Sequence, residues 1–179
     1  NSGSSSRNGR NISTSSNTNN KSSRIFKVSA VQLTGSNLPD SNVEGFLQRA
    51  TVAVRRACAT TSSTSPPPQP QLVLLPELLL GPYFCQSQET CLLQNLAIEI
   101  DEPQQQSKKK KNVIIQHFQN LAMDCNVVLP ISLYELSSPS GGQVLYNTII
   151  VIDSDGSIKG KYRKSHIPDG TGYQEKFYF

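Results

Sequence analysis

The amino-acid sequence predicts a layered α/β fold in which helices pack on a mixed β-sheet. Two strand-like runs flank an amphipathic helix, and a second amphipathic helix is followed by three β-rich runs. This order, β-α-β-α-β-β-β, is typical of a sheet covered by helices. With 179 residues, of which 36% are hydrophobic, the chain has the size of one domain.

The first 24 residues consist almost entirely of Ser, Asn, Gly, Thr and Arg. Such a segment cannot bury enough apolar surface to fold, so residues 1–24 are interpreted as a disordered leader. Organelle targeting by this leader is the weaker alternative, because it lacks an amphipathic apolar stripe. The leader also carries the whole net charge of +4, so the domain over 25–179 has no net field that would recruit nucleic acid or an anionic membrane.

The domain begins with the elements of a β-α-β unit. Residues 25–33, IFKVSAVQL, alternate and are rich in β-formers, which predicts a strand entering the core. Ser-Asn-Val-Glu at 41–44 has the pattern of a capping box, and apolar spacing predicts a helix over 43–57. A polar insertion near 60–70 precedes the apolar run 72–75, which predicts a strand buried on both faces.

A second polar insertion, near 101–111, contains four consecutive lysines. These lysines indicate a solvated loop rather than a nucleic-acid patch, because no aromatic residues alternate with them and acidic residues precede them closely. Apolar spacing then predicts a helix over 113–122. Strands are predicted over 127–133, 144–152 and 157–162, because turn-forming sequences separate these β-rich runs.

No apolar run reaches the roughly 18 residues that a membrane-spanning helix needs. The four cysteines show no metal-binding spacing, and the chain has no secretory apolar segment. We therefore expect free thiols in a cytoplasmic protein, with neither a disulfide scaffold nor a metal site. The cysteines are Cys58, Cys85, Cys91 and Cys125.

Glu77 is the one charged residue in the run LVLLPELLL, and it follows a predicted strand directly. Open α/β sheets place ligand-facing residues at the carboxyl ends of their strands. The apolar neighbours are expected to desolvate this carboxylate and make it a proton acceptor near neutral pH. A Pro-Glu pair that simply starts a helix is the structural alternative.

A second polar cluster, YRKSHIPDG at 162–170, also follows a predicted strand. Its cations and histidine have the chemistry to orient an oxyanion, although a basic segment before a Pro-Asp-Gly turn is also typical of a solvated loop. Glu175 follows among aromatic residues. It is either a third ionisable group of the same site or an ordinary surface acid.

Three segments resemble the carbon-nitrogen hydrolases of the nitrilase superfamily. They are FKVSAVQL, LLPELLLGPYFCQ and LYNTIIVIDSDGSIKGKYRKSHIPDGTGYQEKFYF. The resemblance runs from about residue 25 to 179, with the two polar stretches as insertions, and identifies the chain as the amino-terminal portion of such a protein. It implies a four-layer α-β-β-α sandwich that is incomplete at the carboxyl end.

The resemblance also implies a Glu-Lys-Cys catalytic set. Glu77 matches the general base, Lys164 the lysine that stabilises the oxyanion, and Glu175 a supporting carboxylate. The nucleophilic cysteine is expected downstream, in a motif similar to Cys-Trp-Asp, and the sequence stops before it. The resemblance also places Cys85 in a substrate-pocket loop. Asp169 and Tyr173 have the acidic and aromatic chemistry to line a pocket for a cationic substrate tail, and Tyr83 and His166 are further candidate substrate contacts.

The implied reaction of the complete enzyme is hydrolysis of a carbamoylated amine, without a cofactor or metal. A homo-oligomer is expected, with neither nucleic acid nor membrane as partner. Two alternatives stay open: a short non-catalytic family member that serves as an interaction module, or a superfamily amidase with another carbamoyl or amide substrate.

Overall fold

The structure, a computed structural model, describes residues 25–33, 42–59, 69–90, 96–100, 112–138 and 142–179. Two short 3-10 turns, Phe84–Gln86 and Glu175–Phe177, accompany the helices and strands of this part of the chain. In chain order the helices and strands are β1 (Val28–Ala30), α1 (Val43–Cys58), β2 (Leu72–Leu74), β3 (Ile98–Glu99), α2 (Val113–Cys125), β4 (Leu129–Ser137), β5 (Val144–Ile152) and β6 (Ile158–Arg163).

The strands form two sheets, and the larger one is a mixed sheet, as the sequence predicts. β3, β4, β5 and β6 are neighbours in that order, with β3 parallel to β4 and the other two pairs antiparallel. β1 pairs in parallel with β2, and a parallel bridge between Leu72 and Val128 brings β2 to the start of β4. The fold therefore combines a β-α-β unit with a β4–β5–β6 meander.

The two helices lie together and share one hydrophobic core with the sheet. Phe118 of α2 is fully buried and belongs to the same cluster as Ile131 of β4 and Ile150 of β5. Full burial of one such side chain contributes about 2 kcal/mol. Between the helices, Thr51 Oγ1 lies 2.7 Å from His117 Nε2, so His117 makes an interhelical contact.

The first two strands differ from their predictions in extent and burial. β1 has three residues rather than nine, and Val28 is 57% exposed. β2 is buried on one side only, because Val73 is fully buried whereas Leu74 is 42% exposed. Apolar composition predicted both strands correctly, but one face of this part of the sheet is uncovered in the residues that the structure describes.

The helix α1 begins at Val43 as predicted, but its N-cap lies one residue later than in the capping-box prediction. Asn42 is the N-cap, and its Oδ1 accepts a 2.8 Å hydrogen bond from the Gly45 amide. Ser41, which would have been the cap of a Ser-x-x-Glu box, lies outside the described residues.

The later elements follow the predictions closely. α2 extends three residues further than predicted, to Cys125, and Asn126 ends it in the left-handed conformation at φ 50°. β5 has the predicted bounds, whereas β4 is shifted toward its carboxyl end. The predicted β5–β6 turn is present, with Gly156 at φ 79°, where its lack of a side chain is required.

The leader, the lysine run and Cys91 lie outside the described residues. None of the helices that the structure describes is long and apolar enough to cross a membrane.

Candidate active site

Three ionisable side chains meet where separate parts of the chain leave the sheet. Glu77 follows β2, Lys164 follows β6, and Glu175 begins a 3-10 turn near the end of the chain. Lys164 Nζ lies 3.0 Å from Glu77 Oε1 and 2.8 Å from Glu175 Oε2. The structure thus brings together the three residues that the sequence selected as candidate catalytic groups.

A tight turn, not a helix, holds Glu77 at this position. The next residue, Leu78, has φ 49°, a left-handed conformation that non-glycine residues rarely adopt. Ser132 of β4 stabilises this turn: its Oγ accepts from the Leu78 amide and its carbonyl accepts from the Leu79 amide, both at 3.0 Å. The helix-start alternative for the Pro-Glu pair is therefore wrong.

Of the two carboxylates, Glu175 is buried and Glu77 is half-exposed, whereas the sequence predicted desolvation of Glu77 and left the exposure of Glu175 open. The Glu77 side chain is 47% exposed, so the expected desolvation by its apolar neighbours is not found in the described part of the chain. The reason is the turn, which buries Leu78 and Leu79 in hydrophobic clusters and leaves Glu77 outside. Glu175 is the buried acid, with its side chain 3% exposed.

Lys164 remains a cation in this setting. Burial acts to lower the pKa of its ammonium, but hydrogen bonds to Glu175 and Glu77 outweigh that effect and raise the pKa above its ordinary value. One ammonium therefore lies between two carboxylates. Such a cation can stabilise negative charge that develops on a nearby oxygen.

Tyr83 supports the buried acid. Its hydroxyl donates a 2.8 Å hydrogen bond to Glu175 Oε1, while Lys164 Nζ contacts both oxygens of the same carboxylate. Burial first, and then this hydrogen bond and the Glu175 charge, raise the pKa of Tyr83, so its hydroxyl stays protonated and keeps donating. The structure therefore places this predicted substrate contact on Glu175.

A cavity of about 270 Å³ opens beside Glu77 and Lys164. Its walls are largely apolar, and the lining side chains with polar groups are the acid, the ammonium and three residues of the neighbouring strands. Small-molecule sites are commonly apolar clefts with a few such polar groups. The lining residues are Leu74, Leu75, Glu77, Ser132, Asn147, Ile149, Tyr162 and Lys164.

Cys85 does not reach this cavity. It is fully buried in an aromatic cluster with Phe84, Tyr134 and Tyr178. Burial, followed by the charges of Glu175 and Glu77, raises the pKa of its thiol to about 12. Cys85 is thus a neutral, inaccessible thiol and has neither the charge nor the access of a nucleophile.

Three further predicted substrate contacts are not among the residues that line the cavity. His166 and Asp169 are exposed, and Tyr173 is 50% exposed. The Tyr173 ring packs on Gly170, where an added Cβ would lie 2.9 Å from the ring. No group of three His, Cys, Asp or Glu residues that could hold a metal ion occurs within the described ranges.

Two buried polar residues near the site were missed by the sequence analysis. Asn147 of β5 donates from Nδ2 to Glu77 Oε1 at 2.7 Å. Glu135 of β4, 1% exposed, forms ion pairs with Lys161 and Arg163 and so anchors β6 just before Lys164. In the sequence, each is one of several polar residues in a largely apolar strand, so neither was singled out.

The chain is similar in sequence to one protein family and to several known enzymes. The profile of the carbon-nitrogen hydrolase family matches residues 27–179. An N-carbamoylputrescine amidase of Oryza sativa subsp. japonica is 44% identical over 108 residues, which are 60% of this chain and 31% of that protein. A citrullinase of Francisella tularensis is 44% identical over 109 residues, or 61% of this chain and 33% of that protein.

A solved structure agrees with the fold. The carbon-nitrogen hydrolase from Helicobacter pylori G27 matches with a TM-score of 0.64 and 29% identity, over 86% of this chain and 44% of that one. The chain spans about a third of the length of the curated relatives it matches. Because the family profile covers nearly the whole described structure, the chain belongs to the carbon-nitrogen hydrolase family.

Proposed function

We propose that this chain forms part of an enzyme that hydrolyses the ureido group of a carbamoylated amine, with N-carbamoylputrescine as the first candidate substrate. The observation that carries the proposal is the Lys164 ammonium held between Glu77 and Glu175 beside a small cavity. The similarity to an N-carbamoylputrescine amidase supports the choice of substrate.

Glu77 has the position of the general base. Its carboxylate is 47% exposed and lines the cavity, so it is accessible to an incoming group, whereas Glu175 is buried against Lys164 and Tyr83. A base must lie within hydrogen-bond reach of the proton it removes. Glu77 therefore takes the proton of the nucleophile, and Glu175 holds the ammonium in place.

The nucleophile that the family resemblance implies is a cysteine thiol in a Cys-Trp-Asp-like motif, and this chain contains no Trp. The three cysteines that the structure describes are free thiols, none of which lines the cavity. In the proposal, the thiolate formed by proton transfer to Glu77 attacks the ureido carbonyl carbon. The Lys164 ammonium stabilises the resulting oxyanion, an effect worth about 3 kcal/mol for one donor.

Collapse of the tetrahedral intermediate then breaks the bond to the terminal nitrogen, which leaves as ammonia with the proton from Glu77. Glu77 next removes a proton from water, and the hydroxide attacks the S-carbamoyl intermediate. The thiol is regenerated and an N-substituted carbamic acid departs. This acid loses carbon dioxide and leaves the free amine, which is putrescine for the first candidate substrate.

A second substrate is supported by a separate observation, the 44% identity to a citrullinase. Citrulline carries the same ureido group but ends in an amino acid rather than an amine. The cluster Glu77, Glu175 and Lys164 carries one net negative charge when all three are ionised, which favours a purely cationic tail. We therefore place the carbamoylated diamine first. A cytoplasmic location and assembly into a homo-oligomer remain predictions.

The test is ammonia release by the full-length protein from N-carbamoylputrescine, citrulline and a simple amide at equal concentrations. We expect kcat/KM for N-carbamoylputrescine to exceed the others by about tenfold or more, the discrimination that one additional favourable contact gives. A preference for citrulline would select the second substrate. No hydrolysis by folded protein would instead favour a non-catalytic interaction module.

A further inference from the structure

Asn147 is bonded to both members of the acid–ammonium pair, through different atoms. Its side-chain Nδ2 donates to Glu77 Oε1 at 2.7 Å. Its backbone carbonyl accepts from the Lys164 amide at 2.8 Å. The residue lies within β5, is 5% exposed and forms part of the cavity wall. A single buried residue thus links two strand ends that the sequence places 87 residues apart.

The Asn147 contact makes the two carboxylate oxygens of Glu77 different from each other. Oε1 receives the Asn147 amide and the Lys164 ammonium at 2.7 and 3.0 Å. Within the described residues, Oε2 receives no hydrogen bond from a protein donor. An oxygen that already accepts two donors is the weaker proton acceptor, because protonation would have to displace one of them.

A half-exposed glutamate also has many rotamers available, and ordering one in place costs conformational entropy. The buried Asn147 amide and the Lys164 ammonium together restrict that freedom, since both bind the same oxygen. The Asn147 side chain is itself held by a strand that pairs with β4 and β6 on both edges.

We propose that Asn147 is a positioning residue, which fixes the Glu77 carboxylate with Oε2 as its proton-accepting oxygen and holds it beside Lys164. This inference rests on the proposed function, in which Glu77 is the general base. It assigns Asn147 no contact with the reacting atoms.

The backbone and side-chain contacts of Asn147 can be separated by mutation. Asn147→Ala removes the amide donor and keeps the carbonyl that accepts from Lys164. Asn147→Asp keeps the shape and replaces the donor by a carboxylate oxygen facing Glu77. The matched control is Thr148→Val, the adjacent β5 residue, whose hydroxyl donates to Glu135 instead, at 2.6 Å.

In the full-length protein, Asn147→Ala is expected to lower kcat by about 10- to 100-fold with KM changed by less than about threefold, the pattern of a lost positioning contact. The acid limb of the pH profile should move to higher pH, because a donor to the ionised base is lost. Asn147→Asp should move the acid limb further to higher pH, because it places a second carboxylate facing Glu77. Thr148→Val should lower stability and leave the acid limb where it is.

A second readout does not depend on turnover. The titration of Lys164 can be followed by NMR in protein labelled at the lysine ε-carbon, with Lys164→Met for assignment. Once Glu77 is no longer held beside it, the pKa of Lys164 should fall in Asn147→Ala, whereas in Asn147→Asp the added carboxylate near the ammonium should raise it. This measurement decides the case even if one variant fails to fold or no substrate is turned over.

Different results would contradict the role of Asn147 and the assignment of Glu77 as the base. A Lys164 titration and an acid limb that both stay at wild-type values in the Asn147 variants, with Glu77→Gln inactive, would overturn the role of Asn147 alone. Near-normal turnover by Glu77→Gln would overturn the assignment of the base and, with it, this inference.

Discussion

The ammonium of Lys164 lies 3.0 Å from Oε1 of Glu77, although 87 residues separate the two in the chain. Glu77 follows β2 and Lys164 follows β6, and the pairing of these strands through β4 and β5 brings the two residues together. Glu175 adds a second, buried carboxylate at 2.8 Å. The cation is therefore held from two sides, beside a cavity that only Glu77 and Lys164 of these three line.

Replacing Lys164 by Met should abolish turnover and leave the fold largely intact. The variant keeps the length of the side chain and removes the charge, so we expect kcat to fall by at least about 10³-fold. Steady-state kinetics and circular dichroism of the full-length protein test this. Lys176→Met, an exposed lysine next to Glu175, is the control. Near-normal activity of Lys164→Met would reject the oxyanion role.

Tyr83→Phe separates support of Glu175 from substrate binding. The variant removes the hydroxyl that donates to Glu175 at 2.8 Å and keeps the ring. We expect a stability loss of about 1 kcal/mol and a lower kcat with little change in KM. Denaturant unfolding and kinetics measure both quantities. A large rise in KM at constant kcat would show that Tyr83 binds substrate directly.

Cys85→Ala should remain active. The thiol is fully buried, and its pKa is raised to about 12, so almost no thiolate is present at neutral pH. We expect kcat within about threefold of wild type and a stability loss of about 1 kcal/mol, from the small volume removed. Kinetics and thermal unfolding measure these effects. Complete inactivation of a folded variant would instead make Cys85 a candidate nucleophile.

Glu135→Gln should destabilise the fold in a pH-dependent manner. Burial alone would raise the pKa of Glu135, but hydrogen bonds from Arg163, Thr148 and Lys161 outweigh it and lower the pKa below its ordinary 4.5. The folded state therefore favours the ionised form. This contribution is fully present above the ordinary pKa and is lost as pH falls through the lower, folded-state value.

We expect Glu135→Gln to cost about 3 kcal/mol at neutral pH, because two cations lose their buried partner. Urea unfolding at several pH values measures this cost, and the difference from wild type should shrink below about pH 4. Glu44→Gln, on the exposed first turn of α1, is the control. A difference that stays constant down to pH 3 would contradict the ion-pair explanation.

The sequence predicted the site residues that follow strands and missed those inside strands. Glu77 stands out because it is the one charge in an apolar run, and Lys164 lies in a polar cluster after a β-rich run, from which the family resemblance selects it. Asn147 and Glu135 lie within strands that contain other polar residues, and a polar residue in a strand is also normal for a solvated face. Only the packing of neighbouring elements shows that these two are buried.

Local conformation explains the other differences. The exposure of Glu77 depends on the left-handed turn at Leu78. The sequence did not predict this turn, because Gly and Asn are the residues typical of a left-handed conformation and position 78 is a leucine. β3 has only two residues, too few for an alternation pattern to be seen. By contrast, β5 has nine residues between turn sequences, and its bounds were predicted correctly. The family resemblance is confirmed, whereas the roles of the site residues remain proposals.

The most direct test of the account is the rate of ammonia release from N-carbamoylputrescine by full-length Glu77→Gln, compared with wild type and Glu44→Gln. The substitution keeps the size of the side chain and removes the proton acceptor beside Lys164. The account predicts turnover by wild type and Glu44→Gln, and a loss of at least about 10³-fold in a folded Glu77→Gln protein. Turnover by Glu77→Gln at close to the wild-type rate would contradict it.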